Sequence, residues 1–226
     1  MIAAAGSGQR LGAGGPKALV ELAGRPMIAW SLVALAAAET IERIVIAAPP
    51  GYEGQIEEAA RGAPKPVEVV SGGESRAESV RLAMEVVGSE LVAIHDAARP
   101  LLTPELIDRI VGRLARSEAD GVIVAAPVAD TLKRAGEGGS IRGTVDRVGL
   151  WSAQTPQVFR ANVLRDAQRA ARESGDLAAA TDEAWLLERA GGMVLLEEAE
   201  ISNLKVTTAA DVAIAEALLA RRSTGT

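Results

Sequence analysis

Four short apolar runs constrain this chain more than anything else in it. They read "RIVIAAP" (43–49), "VEVVSGG" (67–73), "LVAIHDAARP" (91–100) and "GVIVAAP" (121–127). Each is rich in β-branched residues and ends in turn formers, the pattern of a strand buried on both faces. A segment of helical length precedes each of them, near 26–38, 52–61, 75–87 and 103–116. Pro26 and Pro104 suit the first position of a helix, and Thr103 suits the cap before one. Strands that alternate with helices have few ways to bury both. The common solution is a mostly parallel sheet covered on each face, an α/β three-layer sandwich of Rossmann-like type. Such sheets bind ligands beyond the carboxyl ends of their strands, so the residues at those ends carry the functional information.

From Val128 to Leu150 the rhythm stops. "VADTLKRAGEGGSIRGTVDRVGL" has a turn-rich centre between short apolar or β-branched positions and reads as a protruding β-arm that leaves the sheet. Helices are expected next near 161–173 and 182–190, a strand near 193–198, the segment "NLKVT" (203–207), and a last helix near 208–221. No internal repeat or low-complexity stretch interrupts the 226 residues, which are read as one domain with the arm, 128–150, inside it.

Composition removes several function classes. Three tryptophans, one tyrosine and one phenylalanine are too few for the stacking platforms of single-strand nucleic-acid binders, and a net charge of −6 argues against bulk nucleic-acid binding. With no cysteine there is no thiolate metal site, disulfide or cysteine nucleophile. No run of about 18 apolar residues and no basic-then-apolar leader is present, so neither a membrane partner nor export is expected, and the expected location is the cytoplasm.

The strand ends are where chemistry concentrates. After the short first strand comes "AAGSGQRLGAGGPK" (4–17), in which five of fourteen residues are glycine and the only charges are Arg10 and Lys17. Glycines let backbone amides approach a phosphate, and the two cations add fixed positive charge, so the loop reads as an anion cradle. It is neither a P-loop, since Lys17 stands between Pro16 and Ala18, nor a dinucleotide fingerprint, since Leu11 takes the third glycine's place. Asp96, delivered by an apolar strand in "HDAARP", is either a turn cap or a ligand for Mg²⁺, which takes one or two carboxylates together with phosphate oxygens and water. His95, the sole histidine, reads as a structural hydrogen-bonder. "SGGESRAES" (71–79) places Ser75, Glu78 and Ser79 at a helix start, where local capping and base recognition are both open.

The pattern G-x-G-x-R-[LM]-G followed by P-K resembles nucleotidyltransferases that join a sugar phosphate to a nucleotide. Taken with "GGESRAESV", "HDAARP", "DTLKR", "GLWSAQTPQVF", "TDEA" and "NLKVTT", in this order from about Ala3 to Leu219, the chain resembles the 2-C-methyl-D-erythritol 4-phosphate cytidylyltransferases of the non-mevalonate isoprenoid pathway. The resemblance implies the nucleotidyltransferase type of Rossmann-like sandwich and transfer of CMP from CTP to a polyol phosphate with release of pyrophosphate. By position it implies Arg10, Lys17 and Lys205 as catalytic cations and Asp96 as the Mg²⁺ ligand. It implies cytidine contacts from Ala4, Ala5, Gly6, Gly8, Gly73, Glu74 and Ser79, and a sugar-phosphate pocket from Thr131, Arg147, Thr155 and Thr181. It also implies a homodimer through the 128–150 arm, with Thr131 and Arg147 serving the partner's site. Ala3 stands where the family often has a proline. Two alternatives share the same fold: a ribitol 5-phosphate cytidylyltransferase and a nucleotide-sensing protein without turnover. Leu150-Trp151 in "GLWSAQTPQVF" favours the isoprenoid enzyme over the first, and the joint presence of Arg10, Lys17, Asp96 and Lys205 speaks against the second.

Overall fold

The computed structural model describes residues 1–6, 14–199 and 203–224. The chain runs β1 (Ile2–Ala3), a small ribbon of β2 (Glu21–Leu22) and β3 (Arg25–Pro26), then α1 (Met27–Ala37), β4 (Ile44–Ala48), α2 (Glu53–Ala59), β5 (Val67–Ser71) and α3 (Arg76–Met84). It continues through β6 (Leu91–Asp96), α4 (Pro104–Ala115), β7 (Gly121–Pro127), the hairpin β8 (Leu132–Ala135) and β9 (Ile141–Val145), and β10 (Trp151–Arg160). It closes with α5 (Ala161–Glu173), α6 (Glu183–Arg189), β11 (Val194–Glu198) and α7 (Ala209–Thr224).

Seven strands form one sheet in the order β11-β7-β10-β6-β1-β4-β5. All are parallel except β10, which lies antiparallel between β6 and β7. The expected mostly parallel sandwich is therefore present. Period-two alternation divides the core into two halves, as strand geometry demands. Ile44, Ile46 and Ala48 of β4 meet α1, α2 and α4 on one face, with Ile28, Leu35, Ile56, Ile107 and Ile110. Val45 and Ala47 face the other way, toward Val80 and Met84 of α3, Leu164 of α5 and Leu186 and Leu187 of α6. A third cluster packs Val206, Ala215 and Leu219 against Leu22, Met27 and Leu101, which seats α7 beside the β2–β3 ribbon. Among the described residues, no helix is long and apolar enough to cross a membrane.

Helix starts follow their local chemistry. The Thr103 hydroxyl accepts from Leu106 N at 3.3 Å with Pro104 at the first helical position. Asp182 caps α6 by accepting from Trp185 N at 3.0 Å. Pro26 falls one residue earlier than the spacing suggests: it pairs with Glu21 in the ribbon, and α1 begins at Met27.

One strand is hidden in the sequence. β10 runs through Gln154, Thr155, Pro156 and Gln157, a polar stretch with a proline that argues against a central strand. The ladder to β7 breaks register between Ala153 and Gln157, and this irregularity takes up the proline, whose peptide bond with Thr155 is cis. Beyond it, Gln157, Val158 and Phe159 pair with Ile123, Val122 and Gly121. The preceding segment leaves the sheet as expected, and β8–β9 makes its own two-stranded ladder.

Phe159 is the largest fully buried side chain among the described residues, and it sits opposite Gly121 because only a residue without a Cβ leaves room for its ring. A methyl group on Gly121 would lie 2.5 Å from Phe159 Cδ1. We expect Gly121→Ala to cost about 1–3 kcal/mol in denaturant unfolding. Gly121→Ala/Phe159→Leu is expected to cost less than the two single changes summed. Additive costs would show that the ring does not set the limit at Gly121.

Candidate active site

The sheet order creates one crevice by topology alone. From β1 the chain steps outward to β4 and β5, then returns to place β6 on the opposite side of β1. The connections leaving β1 and β6 therefore diverge, and an opening is left beyond their carboxyl ends. The register sets Ala3 beside Asp96, and Ala97 N donates to Ala3 O at 3.1 Å. A cleft of about 370 Å³ opens there. Its floor is Ala3–Gly6 and Asp96–Ala98, and its walls include Lys17, the turn Gly73–Arg76, Ser79, Lys205 and Thr207.

The cleft gathers most of the residues singled out from sequence. Ala4, Ala5, Gly6, Lys17, Gly73, Glu74, Ser79, Asp96 and Lys205 all line it. Lys17 N donates to Gly6 O at 3.1 Å, so the stem of the glycine loop is closed and Lys17 begins a short 3-10 turn at the mouth. Arg10 and Gly8 lie outside the described residues. Glycine is needed in the opposite wall for want of space: a Cβ on Gly72 would meet Ala48 O at 2.8 Å, and one on Gly73 would meet Glu78 Cγ at 2.4 Å. The Ser79 hydroxyl donates to Ser75 O at 2.7 Å and accepts from Gly73 N at 3.0 Å, so it braces this turn from beneath. Ser75 caps α3 by accepting from Glu78 N. The first turn of α3, with its positive dipole end, thus borders the cleft.

Asp96 is the electrostatic centre. Its Oδ1 accepts from Arg76 Nε at 3.0 Å and its Oδ2 from Lys205 Nζ at 2.7 Å. Burial alone would raise its carboxyl pKa, but the two cations override that and hold it well below the usual carboxylate range. The two pairs differ in worth. Arg76 is mostly buried, and losing it would strand a buried anion at a cost of about 3 kcal/mol. The Lys205 side chain is 43% exposed, so its pair is screened and worth about 1 kcal/mol or less. Lys205 is thus the movable partner and Arg76 the fixed one.

Beneath the cleft a polar network holds the floor. The Thr155 hydroxyl accepts from Asp96 N at 3.0 Å and meets His95 Nδ1 at 3.1 Å, and His95 Nε2 meets Arg99 O at 3.0 Å. Arg99 Nη1 donates to Asn203 O at 2.8 Å, and Val206 N to Ala98 O at 2.8 Å, which ties the segment carrying Lys205 to the end of β6. His95 is a structural hydrogen-bonder, as expected. In this chain Thr155 is buried and its hydroxyl is committed to that floor. Thr181 is exposed just before α6. Thr131 and Arg147 stand exposed on the arm, with Arg147 bonded to Ala129 O, and do not line the cleft of their own chain. Arg76 is the functional residue that sequence reading passed over. It lies inside "SGGESRAES", but only the fold shows that its side chain reaches Asp96, 20 residues on.

A family description, 2-C-methyl-D-erythritol 4-phosphate cytidylyltransferase, matches residues 1–221. The chain belongs to this family. A relative of that name from Parasynechococcus marenigrum (strain WH8102) is 46% identical over 224 residues, 98% of this chain and 97% of that one. The crystal structure of 2-C-methyl-D-erythritol 4-phosphate cytidylyltransferase from Thermus thermophilus superposes with a TM-score of 0.79 at 33% identity, covering 96% of each chain. That of 4-diphosphocytidyl-2C-methyl-D-erythritol synthase from Anaerococcus prevotii gives 0.81 at 26% identity, covering 96% and 95%. Family membership accounts for the joint occurrence of the sequence motifs, and the cleft shows what most of them have in common.

The floor has a pH signature. Burial lowers the pKa of His95 to about 4, against 6.5 for the free side chain. Between these values the unfolded chain takes up a proton that the folded one excludes, so stability falls as pH falls. From pH 7 to pH 5, we expect the unfolding free energy to drop about 2 kcal/mol more in the wild type than in His95→Gln. Parallel pH profiles for the two proteins would show that His95 does not carry the slope.

Proposed function

We propose that this chain transfers CMP from CTP to 2-C-methyl-D-erythritol 4-phosphate and releases pyrophosphate, the activity its family is named for. The observation that carries the reading is the cleft at the β1/β6 switch point, where Lys17, Lys205 and Asp96 face a glycine-walled recess of nucleotide size. In the proposed step a phosphate oxygen of the polyol phosphate attacks the α-phosphorus of CTP. The new P–O bond forms as the bond to the bridging oxygen of the β-phosphate breaks, and the electron pair leaves with pyrophosphate. A phosphate dianion is already nucleophilic, so no general base is required. The protein's task is positioning and charge neutralisation. Lys17, Lys205 and Arg10 supply positive charge, while Ala4–Gly6 and the Gly73–Glu74 turn offer backbone groups to the cytidine. The lability of the Lys205–Asp96 pair suits this role, because an arriving phosphate can draw Lys205 away at little cost.

Mg²⁺ is the proposed cofactor. Asp96 would be its protein ligand, with water and substrate phosphates completing the shell. Asp96, with Glu74 on the wall of the same cleft, suits a metal held largely through its substrate, and among the described residues no group of three or more acidic, histidine or cysteine side chains forms a dedicated cage. When bound, the ion would offset charge on the triphosphate.

We further propose a homodimer through the arm. Ile141 is 68% exposed and Val148 86%, with Leu150 and Trp151 also exposed beside them. Apolar groups displayed together on an arm gain burial by docking on another surface, and a second copy of this chain would receive Thr131 and Arg147 at its cleft. Small phosphorylated substrates support a cytoplasmic location.

The test is pyrophosphate release from CTP and Mg²⁺ with each polyol phosphate in turn. We expect turnover on methylerythritol phosphate. Faster release with ribitol 5-phosphate would reassign the substrate, and CTP binding without release on any polyol phosphate would leave a nucleotide sensor. Lys17→Ala should retain the fold and lose on the order of 10²–10³-fold in kcat; near-normal turnover would remove Lys17 from the mechanism. In sedimentation we expect twice the chain mass, with Val148→Asp shifting the protein to monomer and lowering turnover. A monomeric wild type with full activity would discard the arm's role.

A further inference from the structure

Among the described residues, Glu183 is the one buried charged side chain outside the cleft that neither the reaction nor the floor has used. It opens α6, is 1% exposed, and both its oxygens accept from Arg76 Nη1, at 2.8 and 2.9 Å. It does not line the cleft. The helix does not need it as a cap, because Asp182 fills that place. Burying a carboxylate opposes folding, and an apolar residue of similar size would fill the space without that penalty. What Glu183 does uniquely is grip Arg76 on the side away from Asp96.

The guanidinium is a rigid planar fork. With Nη1 anchored on Glu183, its Nε edge meets Asp96 Oδ1 in a defined plane. That contact leaves Oδ2 as the oxygen turned to Lys205. Burial raises the carboxyl pKa of Glu183 and the Arg76 guanidinium opposes that rise; with Glu183 ionised, the charges of Glu183, Arg76, Asp96 and Lys205 alternate in sign along this line.

We propose that Glu183 is a positioning residue for the transfer reaction, acting through Arg76 to fix the plane of the Asp96 carboxylate in the cleft. The proposal rests on the reading of that cleft as the transfer site. The row joins α6 to β6 through the start of α3, so its geometry is set before ligands arrive. A carboxylate free to rotate would misdirect whatever cation or phosphate it orders, and a displacement of about 1 Å at such a site costs on the order of 10²-fold in rate.

Four variants test it: Glu183→Gln, Arg76→Met, Arg76→Met/Glu183→Gln and Arg76→Met/Glu183→Leu. We expect Glu183→Gln to lower kcat about 10- to 100-fold with the KM for CTP changed less than about threefold. In the Arg76→Met background, Glu183→Gln should have no further effect on kcat, because its route is gone. Arg76→Met/Glu183→Leu removes Glu183 together with Arg76 but leaves Asp96 with Lys205 as its only cation, so it should melt below the wild type and no lower than Arg76→Met, and stay at least about tenfold slower than the wild type. Wild-type turnover in the apolar pair variant would overturn the proposal, as would a second drop in kcat on adding Glu183→Gln to Arg76→Met. A crystal structure of Glu183→Gln gives a readout free of turnover: the Asp96 carboxylate should rotate off Arg76 Nε, and an unmoved carboxylate overturns the proposal even if the wild type were inactive. An inactive wild type with a rotated carboxylate would instead sink the functional reading alone.

Discussion

The pairing of Ala3 with Asp96 across β1 and β6 is the constraint on which the rest depends. It joins the first loop of the chain to an aspartate 93 positions later and sets both at the mouth of one crevice. Two residues of β1 are enough for this because they are held on both sides, by β4 and by β6. Ile2 is fully buried, and Ala4 N continues the ladder to Ala47 O beyond the strand. A strand that short has no stability of its own and takes its position from its neighbours.

Electrostatics then does what packing alone does not. An aspartate at the end of a buried strand is destabilising unless cations answer it. Arg76 answers from the start of α3 and Lys205 from the segment before α7. The difference in exposure divides their work between a fixed clamp and a removable one. This arrangement gives a site whose buried carboxylate is matched by cations without ligand, yet which can release one of them toward an incoming phosphate. The alternation of sign from Glu183 to Lys205 extends the same logic one layer inward.

The floor beneath the cleft uses mainly uncharged polar contacts. His95, Thr155, Arg99 and Asn203 connect β6, β10 and the Lys205 segment through side-chain and backbone bonds. In this network Arg99 Nε and Asn203 Oδ1 have no partner of their own among the described residues, yet the bonds that are made fix relative positions more sharply than apolar contact. It also explains why the polar run "SAQTPQ" lies in the middle of a sheet. Gln154, Thr155 and Gln157 bond Asn203, Asp96 N and Asp182, and the ladder accommodates them with a break in register.

By itself, the sequence determined the alternation of strands and helices, the cap at Thr103 and the excursion at 128–150, and it marked the first loop as a candidate phosphate site while leaving the role of Ser75 open. These follow from periodicity and near-neighbour chemistry, which a linear chain displays directly. Its ordered motifs also carried the family. Tertiary structure alone decided that β10 enters the sheet antiparallel through a proline, and that Arg76 belongs to Asp96 and Glu183, 20 and 107 residues away. It likewise committed the Thr155 hydroxyl to the floor of the cleft. The physical reason is the same in each case. A residue's partners in space are set by sheet order and register, and neither is written in the spacing of residues along one strand.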